Sequence, residues 1–106
     1  MEVRFLRVAA AELRQGVVYY NGESEGLGFE FLAEVQRTLT RVVTHPTAWA
    51  PLSLRTRRCR TNRFPYGVIY QVRKETILVI AVMHLNRDPE CWKNRLPEQR
   101  GGKENI

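Results

Sequence analysis

Thr76-Ile77-Leu78-Val79-Ile80-Ala81-Val82-Met83 is a nearly continuous apolar run, and its reading decides the fold. It is far short of the roughly 18–20 apolar residues that a membrane helix needs. A short apolar run set behind a polar turn predicts a central strand covered on both faces. That turn is Arg73-Lys74-Glu75, and the stretch before it, Tyr66 to Val72, is rich in aromatic and β-branched residues, so the two form a hairpin. Further upstream, Leu52 to Thr61 reads as a basic strand or pair of strands, interrupted near Pro51.

Nearer the N-terminus the period changes. Ala10, Leu13, Val17 and Tyr20 fall on one helical stripe, which Asn21-Gly22 is expected to end. After Gly26-Leu27-Gly28 a second helix carries Phe29, Leu32, Val35, Leu39, Val42 and Val43. His45-Pro46 closes it, because a residue before proline avoids the helical region. Val3 to Val8 reads as a short leading strand. Asp88-Pro89-Glu90 looks like a helix start, with Asp88 as N-cap, and Leu96-Pro97 ends that helix. The expected fold is α+β: an N-terminal strand, an antiparallel helical hairpin, a three-stranded antiparallel meander and a short C-terminal helix. One domain, 1–97, is followed by a polar tail, 98–106, expected to be disordered.

Charge is distributed unevenly. Residues 1–34 hold three arginines against six glutamates, whereas 35–74 hold eight arginines and a lysine with no acid. From residue 75 onward, five acids face five bases, leaving the chain at +6. Such a basic segment attracts an anionic partner. Arginine outnumbers lysine 14 to 3, which favours bidentate recognition of carboxylate or phosphate. The two cysteines, Cys59 and Cys91, lack CxxC spacing or a nearby His, so they are expected to be reduced thiols, with no metal and no cofactor. No secretory leader is visible after Met1, and a cytoplasmic protein that does not engage membranes is expected.

Several segments, in order, resemble the RelE/ParE toxin superfamily across about residues 3–96. They are Gly26-Leu27-Gly28, Phe29 with Val35, His45-Pro46, and Arg57-Arg58. Arg63-Phe64-Pro65-Tyr66 running into Ile69-Tyr70 continues the series, and Ala81-Val82-Met83-His84, Arg87-Asp88-Pro89, Trp92 and Arg95 close it. The resemblance implies the toxin of a type II toxin–antitoxin module, the class linked to plasmid stabilisation. Free, it inhibits growth; bound in a hetero-oligomer by a co-encoded acidic antitoxin, it is silent. It also leaves two activities open. RelE-like members are metal-independent endonucleases that cut mRNA on the ribosome, whereas ParE-like members poison DNA gyrase without catalysis. Phe64-Pro65-Tyr66 and Val82-Met83-His84 lean towards the ParE-like branch. Outside the toxins, a basic nucleic-acid-binding module is the alternative, although no RRM, KH or helix-turn-helix signature is present.

RNA cleavage by a 2′-hydroxyl needs a proton acceptor, cations for the crowded phosphate, and an acid for the leaving oxygen. Arg58 and Arg60, on one face of a strand and roughly 6.6 Å apart along it, would supply cations, with Arg87 joining from beyond the last strand. His84 would serve as acid or base, or else only hydrogen-bond a loop carbonyl. Arg55, Arg57 and Arg63 are candidates for binding target or antitoxin. Tyr66 with Trp92 could stack a base, although Trp92 is also suited to packing the last helix on the sheet. Glu12, Glu30 and Glu34 read as solvated helix positions.

Overall fold

Alternation along the apolar run lays down the centre of the sheet. In β5 (Thr76–His84), Ile77, Val79 and Val82 join one buried cluster, while Ile80, Ala81 and Met83 join another on the opposite face. Ile80 and Ala81 are consecutive yet share a face. The pairing explains why: Ile69 of β4 (Tyr66–Arg73) lies opposite Ala81 and Tyr70 lies opposite Val79, so Ile80 is a bulge. β3 (Thr56–Arg60) pairs antiparallel with β4. The two-residue β2 (Ala50–Pro51) forms the outer edge, where proline leaves no ladder bond unmade. β1 (Glu2–Phe5) runs parallel to β5, with Glu2 opposite Thr76, giving the order β1-β5-β4-β3-β2. The computed structural model describes residues 1–88 and 90–96 of the chain.

Two helices cover one face. α1 (Arg7–Glu23) runs through Asn21-Gly22, contrary to the expected stop. Asn21 instead joins the two helices: its Oδ1 accepts the Gly28 N–H at 2.7 Å, satisfying one of the unpaired donors at the start of α2 (Leu27–Thr44). The reversal itself is made at Gly26, whose φ of 85° suits glycine. Gly28 is where the helices touch, since a Cβ there would lie 2.1 Å from the Val17 carbonyl oxygen. The inward stripe of α2 is Phe31, Val35, Thr38 and Val42, all buried. Phe29 sits about 200° around the helix from Phe31 and is 65% exposed, not in the core as the sequence pattern suggested.

The opposite face is covered near β5 by the C-terminal stretch. Asp88 Oδ1 accepts the Glu90 N–H at 2.9 Å, as an N-cap does, but turns and a single 3-10 turn (Lys93–Arg95) follow where an α-helix was expected. Trp92 and Leu96 are buried against Ile69, Ile80, Ala81 and Met83. The expected tail, 98–106, lies outside the described residues.

Candidate functional site

The open face of the sheet carries the first group of candidate residues. Arg58, opposite Ile69 on β3, lays its stem over Gly67, where a Cβ would come within 2.9 Å of the arginine Cδ. The absence of a side chain at 67 is what admits this pose. Arg58 lines a cavity of about 170 Å³ whose walls are apolar: Leu52, Ile69, Met83, Leu85 and Trp92. His84 and Arg87 reach its rim, so three of the four proposed catalytic residues share this cavity. Arg60, the fourth, is exposed two residues further along β3 and is not part of the lining. Trp92 is only 2% exposed and forms a wall, so it is no surface platform for stacking a base.

Arg87 is not a free cation. Its Nη1 donates to Glu12 Oε2 at 3.0 Å, and Glu12 is itself buried. Arg95 donates to both Glu12 oxygens at 2.8 Å and to the Ile80 carbonyl at 2.9 Å. Glu12 also accepts the Val82 N–H at 3.0 Å. Far from being solvated, Glu12 binds α1 to the outer edge of β5 and to the C-terminal turn. That bond raises the already high pKa of Arg95. His84 faces Tyr66 with ring centroids 5.4 Å apart, and its Nδ1 accepts the Asn86 N–H at 3.1 Å. In the neutral ring the proton therefore sits on Nε2. Tyr66 packs its ring on Phe31 at 4.7 Å, and burial pushes its hydroxyl pKa up.

Arg63 occupies the tip of the β3–β4 loop at φ 73°, a left-handed conformation uncommon for a side-chain-bearing residue. It pairs with the half-exposed Glu30 at 2.8 Å and lies over the Phe64 ring. Glu34, also read as solvated, is 2% exposed; it accepts the Asn62 N–H at 2.6 Å and pairs with Arg37 and Arg41. Both glutamates of α2 therefore hold this loop in place. At the other end, Arg55 and Arg57 line a second cleft with Thr47 and Tyr70, and Arg57 donates to the Trp49 carbonyl at 2.8 Å. Tyr70 donates to the Pro46 carbonyl, and burial raises its pKa to about 12.

α1 leaves an apolar strip uncovered. Val18 is 72% and Tyr19 57% exposed, and they border a shallow cleft with Ala11, Arg14 and Gln15. The stripe chosen from the sequence omitted this face because it followed only the inward period. Among the described residues, no three His, Cys, Asp or Glu side chains gather to hold a metal ion, and no helix is long and apolar enough to cross a membrane.

Comparison with known proteins gives the fold its relatives. The chain is similar to a solved structure described as the chromosomal ParDE toxin–antitoxin system from P. aeruginosa, at 16% identity and a TM-score of 0.69. That match covers 79% of this chain and 95% of the other. It is also similar to the isolated E. coli RelE toxin, at 19% identity and a TM-score of 0.61, covering 83% and 87%. No curated protein sequence matches it. The family model described as the ParE toxin of the type II toxin–antitoxin system parDE matches residues 3–89. With that match spanning most of its length, the chain belongs to the ParE toxin family of type II toxin–antitoxin systems.

Proposed function

We propose that this toxin arrests growth by binding and poisoning DNA gyrase rather than by cutting mRNA, and that a co-encoded acidic antitoxin neutralises it. The observation that carries the first part is the state of Arg87 and His84. A cleavage site needs a cation free to meet the phosphate and an acid–base group aimed at it. Here Arg87 is held by a buried carboxylate, and one His84 nitrogen is taken by the Asn86 amide. Arg60 does not line the cavity that the other three share. The second part is supported by the acid-free segment 35–74 and by the exposed apolar residues of α1, a pairing suited to an acidic amphipathic peptide.

The nuclease reading draws on one feature, the convergence of Arg58, His84 and Arg87 on a single cavity. Expression without antitoxin separates the two. A gyrase poison traps broken DNA, so cells should filament and induce DNA-damage responses while protein synthesis continues at first. Rapid arrest of translation, with in-frame mRNA cuts abolished by His84→Ala, would overturn the proposal in favour of the enzyme.

A further inference from the structure

The guanidinium of Arg58 is built into an unusual setting. Its Nε is buried and has no hydrogen-bond partner. A buried polar nitrogen without a partner is costly, and a charged one more so. The stem lies over Gly67 and the residue lines the cavity, which places the guanidinium beside it. Everything beside it except His84 and Arg87 is apolar. A cavity of about 150 Å³ with apolar walls accepts a benzene-sized group, and this one measures about 170 Å³.

Two chemical demands therefore meet in one place: an apolar body the size of one large side chain, and an acceptor for a buried N–H of a cation. A nucleic-acid backbone meets the second and not the first, because its phosphates come with hydrated sugars that gain nothing from Leu52, Met83 and Trp92. A peptide meets both. Resting on the toxin reading above, we propose that this cavity is the anchor site for the antitoxin. It takes one large apolar side chain from an acidic segment, with a neighbouring carboxylate accepting the Arg58 Nε–H. Charge favours that occupant, since Arg58 lies within a forty-residue segment, 35–74, that contains no acid. Among the described residues, no carboxylate is within ion-pair distance of Arg58, which leaves its charge open to an acid brought by a partner.

The test uses the full chain labelled with nitrogen-15, following the Arg58 Nε–H and Trp92 indole N–H signals by NMR. Three probes are titrated: N-acetylphenylalanine, its C-terminal amide, and inorganic phosphate. The acid should shift both signals along one saturating curve. The amide should bind at least roughly ten-fold more weakly, having lost one charge-assisted hydrogen bond. In Arg58→Met, followed through Trp92, acid and amide should bind alike. Equal binding of acid and amide by the unsubstituted protein overturns the proposal, as does tighter binding of phosphate or no shift with any probe. Stoichiometric antitoxin should displace the bound acid. Retention of the probe in the toxin–antitoxin complex would overturn the choice of occupant while leaving the growth-arrest reading to stand or fall separately.

Discussion

Replacing Glu12 with alanine should destabilise the protein more than any change at an exposed ion pair. The carboxylate is 8% exposed and takes four hydrogen bonds, from Val82, Arg87 and twice from Arg95. The Arg95 side chain is only 12% exposed, so Glu12→Ala leaves a cation with little water to turn to. Breaking a buried pair from one side costs roughly 3–5 kcal/mol. Because Arg95 keeps its bond to the Ile80 carbonyl, the lower end applies, about 3 kcal/mol. At roughly 4 °C or more per kcal/mol for a domain of this size, the melting temperature should fall by at least about 12 °C. Thermal unfolding followed by circular dichroism measures this, and a double-mutant cycle apportions it. Coupling of Glu12 to Arg95 should clearly exceed its coupling to Arg87, whose side chain is 49% exposed and screened by water. A total loss below about 1 kcal/mol, the level of a surface pair, would refute the reasoning.

Tyr70 has its hydroxyl pKa raised to about 12 by burial, against about 10 when unfolded, so its neutral form is what the fold stabilises. That contribution is complete below pH ~10 and is lost as pH climbs towards 12, roughly 2–3 kcal/mol in all; urea titrations at several alkaline pH values should show a shallower decline in Tyr70→Phe. Gly28→Ala should cost about 3 kcal/mol or more by denaturant unfolding, because its Cβ would meet the Val17 carbonyl. Gly22→Ala, with nothing within 4 Å, should gain about 0.5–1 kcal/mol from helix propensity, and a loss there would mean the helix ends earlier. Arg60→Ala should leave the melting temperature within the change of about 0.5 kcal/mol usual at exposed positions, and a larger fall would expose a structural role for this side chain.

Periodicity made the helices, the strands from Tyr66 to Met83 and the closing at His45-Pro46 legible, because each depends on neighbours within a few residues. What it concealed depends on distant ones. Phe29 and Phe31 are equally apolar, and only the angle at which α2 meets the sheet sends one inward. Glu12 and Glu34 carry charge that reads as surface; their burial follows from partners at Arg95, Arg87 and Asn62, up to 83 residues away. A faint signal for Glu12 was present in its company, since Ala9 and Gly16 share its side of α1 and small residues mark close packing. Among the candidate site residues, the cluster of arginines was visible in composition. Which of them share a cavity was not, because β3 alternates Arg57 and Arg58 between opposite faces, and Gly67 decides where Arg58 lies.

The parallel seat of β1 beside β5 has a consequence during synthesis. Glu2 waits for Thr76, and Phe5 for Val79, so the first strand made is among the last to find its neighbour. Joining ends that far apart costs chain entropy that local helix formation does not, and such long-range pairing is slow. The helical hairpin can form while the ribosome is still reading the middle of the message, but the sheet it covers is incomplete until β5 has emerged. The chain is therefore unfinished for most of its translation, and its apolar sheet face can close only after β5 has been made.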